Sequence, residues 1–153
     1  MLIFSGEIRA TFDEKGRVVL PADYKNQMGG NVPGGQLAIE IDRYEKCLNV
    51  YTMEEWEKRI LKFRSKLNLN NREHSKILDG ILRKCRIIAV PENCRFTIPA
   101  NFLEVAGITK EVVFTGQLER LRIWDANEYQ SYTGSLTECD DSYEQKFGGE
   151  ELD

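Results

Sequence analysis

The sequence predicts an α+β chain built from two internally repeated halves joined by a helix pair, and three observations carry that expectation. An offset of 78 residues lays TFDEKGRVVLPADYKNQMG (11–29) on AVPENCRFTIPANFLEVAG (89–107), with identities at Glu14/Glu92, Arg17/Arg95, Pro21/Pro99, Ala22/Ala100 and Gly29/Gly107. At an offset of 73, LNVYTMEEW (48–56) lies on LRIWDANEY (121–129), pairing Leu48/Leu121, Val50/Ile123, Tyr51/Trp124, Glu55/Glu128 and Trp56/Tyr129. Between the two copies the apolar residues recur at helical spacing. Two copies make a duplication and not a solenoid, which needs about three units or more. The expected organisation is a first repeat over 1–52, a helical connection over 53–86, a second repeat over 87–132 and an acidic, mostly disordered tail over 133–153.

The elements follow in order. Ile8, Ala10 and Phe12 alternate with Arg9, Thr11 and Asp13, EKG intervenes, and Val18 and Leu20 alternate with Arg17 and Val19. That pattern predicts a hairpin with a short loop in which Gly16 takes the left-handed position and Asp13 faces Arg17. Pro21 starts and Gly29 with Gly30 stops a short helix, a pattern repeated at Pro99 and Gly107. Strands QLAIEID and CLNVY follow in the first copy, EVVFTGQ and RLRIW in the second. Thr52 with Glu55, and Asp125 with Glu128, have the spacing of a capping box and its relative, so a helix begins after each final strand. In the connection, Trp56, Ile60, Phe63 and Leu67 keep helical spacing, and after NLNN so do Ile77, Leu78, Ile81, Leu82 and Cys85. An antiparallel helix pair is expected, its apolar stripe serving as core or subunit interface.

The formal net charge of −4 is unevenly spread. The tail TGSLTECDDSYEQKFGGEELD carries Lys146 against Glu138, Asp140, Asp141, Glu144, Glu150, Glu151 and Asp153, a net of −6 that leaves +2 on residues 1–132. The acidity belongs to the tail, and the body is free to face a polyanion.

Several chemistries are not expected. No apolar run approaches the roughly 18 residues of a membrane span, and MLIFSGEIRATF lacks the pattern of a secretory signal, so export is not expected. Cys47, Cys85, Cys94 and Cys139 form no Cys-x-x-Cys pair and read as reduced thiols. The single histidine, His74, falls in the first turn of a helix, where a solvated or capping role is expected; it leaves no zinc set or catalytic triad. No phosphate loop or acid–base pair stands out, so no enzyme activity, cofactor, metal or small-molecule substrate is expected.

What remains is the turn DEKGR, a carboxylate and a guanidinium across a tight bend with Lys15 at its tip and Arg9 on the same outward face. A carboxylate that orients the Arg17 fork lets it approach guanine O6/N7 or a phosphate at lower entropic cost, and Lys15 adds a less directional phosphate contact. An ordinary surface ion pair, worth at most ~1 kcal/mol, is the bland alternative.

With Phe4 and Gly6 in FSG, Asp13, Lys15, Gly16 and Arg17 before Pro21, CLNVY with Trp56 and Glu57, and AGITKEVVFTGQ and IWD in the second copy, the sequence resembles the MraZ family. These are bacterial transcriptional regulators of the division and cell-wall gene cluster and relatives of the AbrB-type swapped-hairpin proteins. The resemblance implies a double-split β-barrel, a homo-oligomeric ring, a cytoplasmic and nucleoid-associated location, and binding of double-stranded DNA at repeated G-rich boxes in the family's own promoter region. The resemblance implies Asp13, Lys15, Gly16, Arg17 and Arg95 as DNA-binding residues, and Arg9 joins the set from its place on the same outward face. An antitoxin-like protein, or a structural interaction ring of the same fold without specific DNA binding, is the alternative. The second copy departs from the motif: Pro91 stands at the aspartate position, Cys94 at the glycine position, and Glu92 one residue late as a substitute acid. A side chain where the turn wants positive φ predicts a different shape for the second turn. Thr52 replaces the family's usual Pro, and ILRKCRIIA replaces an aromatic stretch.

Overall fold

The computed structural model describes residues 2–135 and 137–149. The chain runs β1 (Glu7–Thr11), β2 (Arg17–Val19), α1 (Ala22–Gln27), a 3-10 turn at Pro33–Gly35, β3 (Gln36–Ile41), β4 (Leu48–Thr52), α2 (Met53–Lys66), α3 (Arg72–Leu82), β5 (Cys85–Ala89), β6 (Arg95–Thr97), α4 (Ala100–Val105), β7 (Glu111–Gln117), β8 (Arg120–Asp125), α5 (Ala126–Ser135) and α6 (Thr137–Phe147). One antiparallel sheet has the order β1-β7-β8-β4-β3-β5, and β2 pairs only with β6 in a separate two-stranded ribbon. This is the mixed α+β architecture expected.

Pairing runs between the halves. β1 lies on β7 with Glu7 opposite Thr115 and Thr11 opposite Glu111, and β5 lies on β3 with Cys85 opposite Glu40 and Ala89 opposite Gln36. β2 meets β6 through Arg17 opposite Thr97 and Val19 opposite Arg95, and β4 meets β8 through Leu48 opposite Ile123 and Val50 opposite Leu121. Exchanging the two repeats maps the β2–β6 and β4–β8 registers onto themselves and the β1–β7 register onto that of β5–β3, so an approximate two-fold axis passes between Val18 and Phe96 and between Asn49 and Arg122.

The expected first hairpin is closed at its turn but not along its strands. Asp13 N–H donates to the Arg17 carbonyl at 2.9 Å and Gly16 N–H to the Asp13 carbonyl at 3.2 Å. Beyond them Phe12 N–H turns to the Lys110 carbonyl and Leu20 N–H to the Cys94 carbonyl, both at 2.8 Å, so the strands part toward the other repeat. Alternation fixes which side chains are buried and says nothing about which strand supplies the ladder.

A single apolar cluster fills the interior. Val18, Leu20, Phe96 and Ile98 from the ribbon meet Leu37, Ile39, Leu48, Val50, Leu121 and Ile123 from one face of the large sheet, closed by Tyr24 and Phe102 from α1 and α4. The other sheet face is covered by α2 over β3 and β4 and by α5 over β7 and β8. That layer is polar at its centre: Arg59 grips Glu40 through two bonds of 3.0 Å, and Asp42 holds Asn49 at 2.9 Å and Arg122 at 3.2 Å. Trp124 stacks on Tyr132 with ring centroids 4.3 Å apart, fastening α5 to the sheet.

The connection begins as expected, with Thr52 Oγ1 accepting from Glu55 N–H at 3.4 Å and Asn71 capping α3. His74 Nδ1 accepts from Asn68 N–H at 2.9 Å, tying the loop to the first turn of α3. Cys85 departs from expectation: it opens β5, because α3 ends at Leu82 and the β-branched pair Ile87 and Ile88 takes up the edge of β3. The segment expected as a mostly disordered tail is helical over Thr137–Phe147. Poverty in aliphatic residues deprives it of a core but not of local support, since Tyr143 and Phe147 pair along the helix at 5.7 Å. Residues 136 and 150–153 of that segment lie outside the described residues.

Gly116 marks where the N-terminal segment crosses β7. Its N–H donates to the Gly6 carbonyl at 2.9 Å, and a Cβ there would stand 2.2 Å from Ser5 N and 2.4 Å from Phe4 C. Gly116→Ala is expected to cost about 2–4 kcal/mol of stability by overpacking against backbone that cannot yield. Gly134→Ala, whose Cβ meets nothing within 4 Å on α5, should be neutral or stabilising by up to ~1 kcal/mol. Urea titrations of the two variants check this; equal midpoints would refute it.

Candidate nucleic-acid interface

The β2–β6 ribbon carries the two motif arginines. Val18 and Phe96 point into the core, so Arg17, Val19, Arg95 and Thr97 share the outward face, with the arginines on a diagonal of the register. Between them stands one carboxylate. Asp13 Oδ1 accepts from the N–H groups of Lys15 and Arg17, each at 2.9 Å, and Oδ2 accepts from Arg17 Nε at 2.7 Å. The same Oδ2 lies 3.7 Å from Arg95 Nη1. One oxygen thus closes the turn while the other holds both guanidinium groups.

The second turn keeps the shape of the first, contrary to the sequence expectation. Cys94 adopts φ 60°, matching Gly16 at 74°, and its N–H donates to the Pro91 carbonyl at 2.8 Å, as Gly16 N–H does to Asp13. Asn93 Oδ1 accepts from Arg95 N–H at 3.0 Å, supplying the backbone bond that an aspartate gives in the first turn. Cys94 is buried, and that packing together with Leu20 N–H on its carbonyl holds it in a conformation unfavourable for a residue with Cβ. Glu92 is not the substitute acid, since among the described residues the carboxylate within ion-pair reach of Arg95 is Asp13.

A cleft of about 270 Å³ runs beside the ribbon, lined by Asp13, Arg17, Arg95 and Lys110 with Thr11 and Val19. Lys15 is exposed at the tip of the turn. Gly16 behind it takes φ +74° with the Ile98 carbonyl and Leu103 Cδ1 at 3.4 Å from where a Cβ would sit. Arg9 lies on β1 opposite Val113 and does not line the cleft. Lys110 was not expected from sequence. It enters because Phe12 ladders with it across the repeats, a relation no local pattern reveals.

The described residues hold no group of three or more side chains able to bind a metal ion, and none of their helices is long and apolar enough to cross a membrane. Burial pushes the Cys47 thiol up to about 12 and the Cys85 thiol to about 11, so neither offers a thiolate at neutral pH.

Compared with known proteins, the sequence profile of the family described as "MraZ protein, putative antitoxin-like" matches residues 3–79 and 89–146, which takes in both turns and both halves of the ribbon. The chain belongs to the MraZ family. It is 32% identical over 124 residues to the transcriptional regulator MraZ of Bacteroides fragilis ATCC 25285, covering 81% of this chain and 78% of the relative. To the transcriptional regulator MraZ of Pseudomonas putida F1 it is 28% identical over 134 residues, 87% of each chain, and to that of Proteus mirabilis HI4320 31% over 125 residues, 80% of each. Within the MraZ match, the stretch between the two matched segments, 80–88, takes in all but the last residue of ILRKCRIIA, at the end of α3 and the start of β5.

In this MraZ-family chain the Asp13 carboxyl is held below its ordinary value. The Arg17 N–H bond is the largest cause, opposed by desolvation and reinforced by the Arg17 guanidinium and the Lys15 N–H. With a folded pKa below the unfolded one, the stabilisation is complete above the unfolded value and is lost as pH falls through the lowered folded value. A carbon-detected NMR titration should place the Asp13 midpoint below that of a free aspartate, near 3.9. Arg17→Ala should raise it only part of the way, because the backbone bond survives. An unchanged midpoint in that variant would show that the guanidinium does not act on this carboxylate.

Proposed function

We propose that the chain is a sequence-specific regulator of transcription that binds double-stranded DNA through the β2–β6 ribbon, as a homo-oligomeric ring on repeated G-rich boxes of its own promoter region. The relatives' shared name supports the regulatory role. One observation supports the site: two arginines set on a diagonal of a two-stranded ribbon and steadied by a single carboxylate. A major groove admits such a ribbon, and an oriented arginine fork matches guanine O6 and N7. Lys15, and Lys110 beside the cleft, would take phosphates, with Arg9 further along the same surface of β1. On this reading the exchanged ribbon and sheet form the double-split barrel of the family, the protein works in the cytoplasm at the nucleoid, and it needs neither catalysis nor a cofactor.

Fluorescence anisotropy on operator and scrambled duplexes at two salt concentrations tests it. Arg17→Ala should cost about 1–3 kcal/mol on the operator and relax sequence preference. Arg95→Ala, which loses a looser 3.7 Å contact, should weaken both duplexes alike and flatten the salt slope by about one unit. Equal operator binding by wild type and Arg17→Ala would reject the proposal in favour of an interaction ring without specific DNA affinity.

A further inference from the structure

The helix pair α2–α3 bounds a groove of about 550 Å³ against the end of β3. Phe63, Ile77 and Ile81 form its floor, and Arg43, Arg83 and Lys84 stand around it. Ile77 is 45% exposed, so the floor is open. Arg59, which also lines the groove, is occupied by Glu40. Among the described residues no carboxylate lies within ion-pair distance of Arg43, Arg83 or Lys84. The groove is apolar at its base and cationic at its margin, with neither part matched among the described residues.

The complementary surface is α6. Asp140, Tyr143, Glu144 and Phe147 fall at i, i+3, i+4 and i+7, which puts two aromatic rings and two carboxylates on one helical face. All four are exposed. Neither ring finds an apolar cover: Tyr143 is 47% and Phe147 41% exposed. Within one chain the two surfaces belong to opposite halves, since α6 packs on α5, which lies over β7 and β8, whereas the groove sits beyond β4 at the end of β3.

We infer that α6 of one copy docks into the groove between α2 and α3 of a second copy, its two rings on Phe63, Ile77 and Ile81 and its carboxylates on Arg83, Lys84 and Arg43. The contact is head-to-tail, joining different surfaces of identical chains, and closes into a ring when the rotation allows. It rests on the homo-oligomeric part of the proposed function and names the segments that make the junction.

The full chain is compared by light scattering with two double variants, Tyr143→Ala/Phe147→Ala on the helix and Arg83→Glu/Lys84→Glu at the groove, each checked for native circular dichroism. Both should fall from the wild-type mass toward monomer. Their equimolar mixture should stop at dimers, because one intact groove meets one intact helix and chain growth then ends. A labelled peptide of residues 137–149 should bind saturably to the full-length Tyr143→Ala/Phe147→Ala chain, whose groove is vacant, and at least tenfold more weakly when Arg83→Glu/Lys84→Glu is added. Wild-type mass in both variants would overturn the junction while leaving the oligomer standing, and a monomeric wild type would overturn both. A groove variant that keeps its mass but loses operator binding would reassign the groove to DNA and overturn the junction.

Discussion

Everything in this fold depends on the exchange of strands between the repeats. β1 and β2 have no ladder within their own half, and β5 and β6 have none within theirs; each finds it in the other repeat. A half alone would leave rows of backbone donors and acceptors unpaired beside an open apolar face, which is why the two copies make one folding unit despite 78 residues between equivalent turns. The loop-closure cost of such distant pairing rises only with the logarithm of length, so the long helical connection is tolerated thermodynamically. The same exchange brings the tips of two turns, far apart in sequence, onto one ribbon.

That juxtaposition relaxes what each turn must supply. Once Arg17 and Arg95 share a surface, one carboxylate can steady both, and the second turn can lose its acid without leaving its arginine wholly unguided. The glycine position tolerated change for another reason. Cys94 in the left-handed region costs on the order of 1–3 kcal/mol, offset by burial of its side chain in the common core and by the Pro91 and Leu20 hydrogen bonds on its backbone. The two turns therefore keep one backbone shape while differing in chemistry: Asp13 accepts from Lys15 N–H, Arg17 N–H and Arg17 Nε in the first, and Asn93 accepts from Arg95 N–H in the second.

Much of this was legible in the sequence. The offset of 78 residues located both turns, the Pro starts of α1 and α4 and the left-handed Gly16, because those features are fixed by residues within a few positions of one another. Strands β3, β4, β7 and β8 and the Thr52 cap were legible for the same reason. The partners of β1 and β2 were not, since alternation is blind to pairing, and with them went Lys110 and the Asp13–Arg95 contact. The shape of the second turn was misjudged because the penalty on Cys94 is local while its compensation is tertiary. Cys85 sits at a position where helical and alternating patterns both fit, and only the free edge of β3 decides for the strand.

The folded body carries a charge of only +2 over residues 1–132, too little for a single copy to hold a duplex firmly at physiological salt. On the proposed function, two features of the molecule answer that weakness together. The ribbon gathers Arg17, Arg95 and Lys110 with the single carboxylate Asp13 around one cleft, so the charge it would present to a duplex is more positive than the average. Tethering several such ribbons in one assembly then makes each later contact intramolecular, which raises avidity without any new interaction. The acidic helix fits the same logic. Left exposed, it would repel the phosphates that the ribbon attracts on the proposed function; seated, as inferred above, on the cationic margin of a neighbour's groove, its carboxylates would be neutralised by Arg43, Arg83 and Lys84 and that repulsion would weaken. On these two proposals assembly and DNA affinity are coupled through charge, although the surfaces that would make them lie on different parts of the fold.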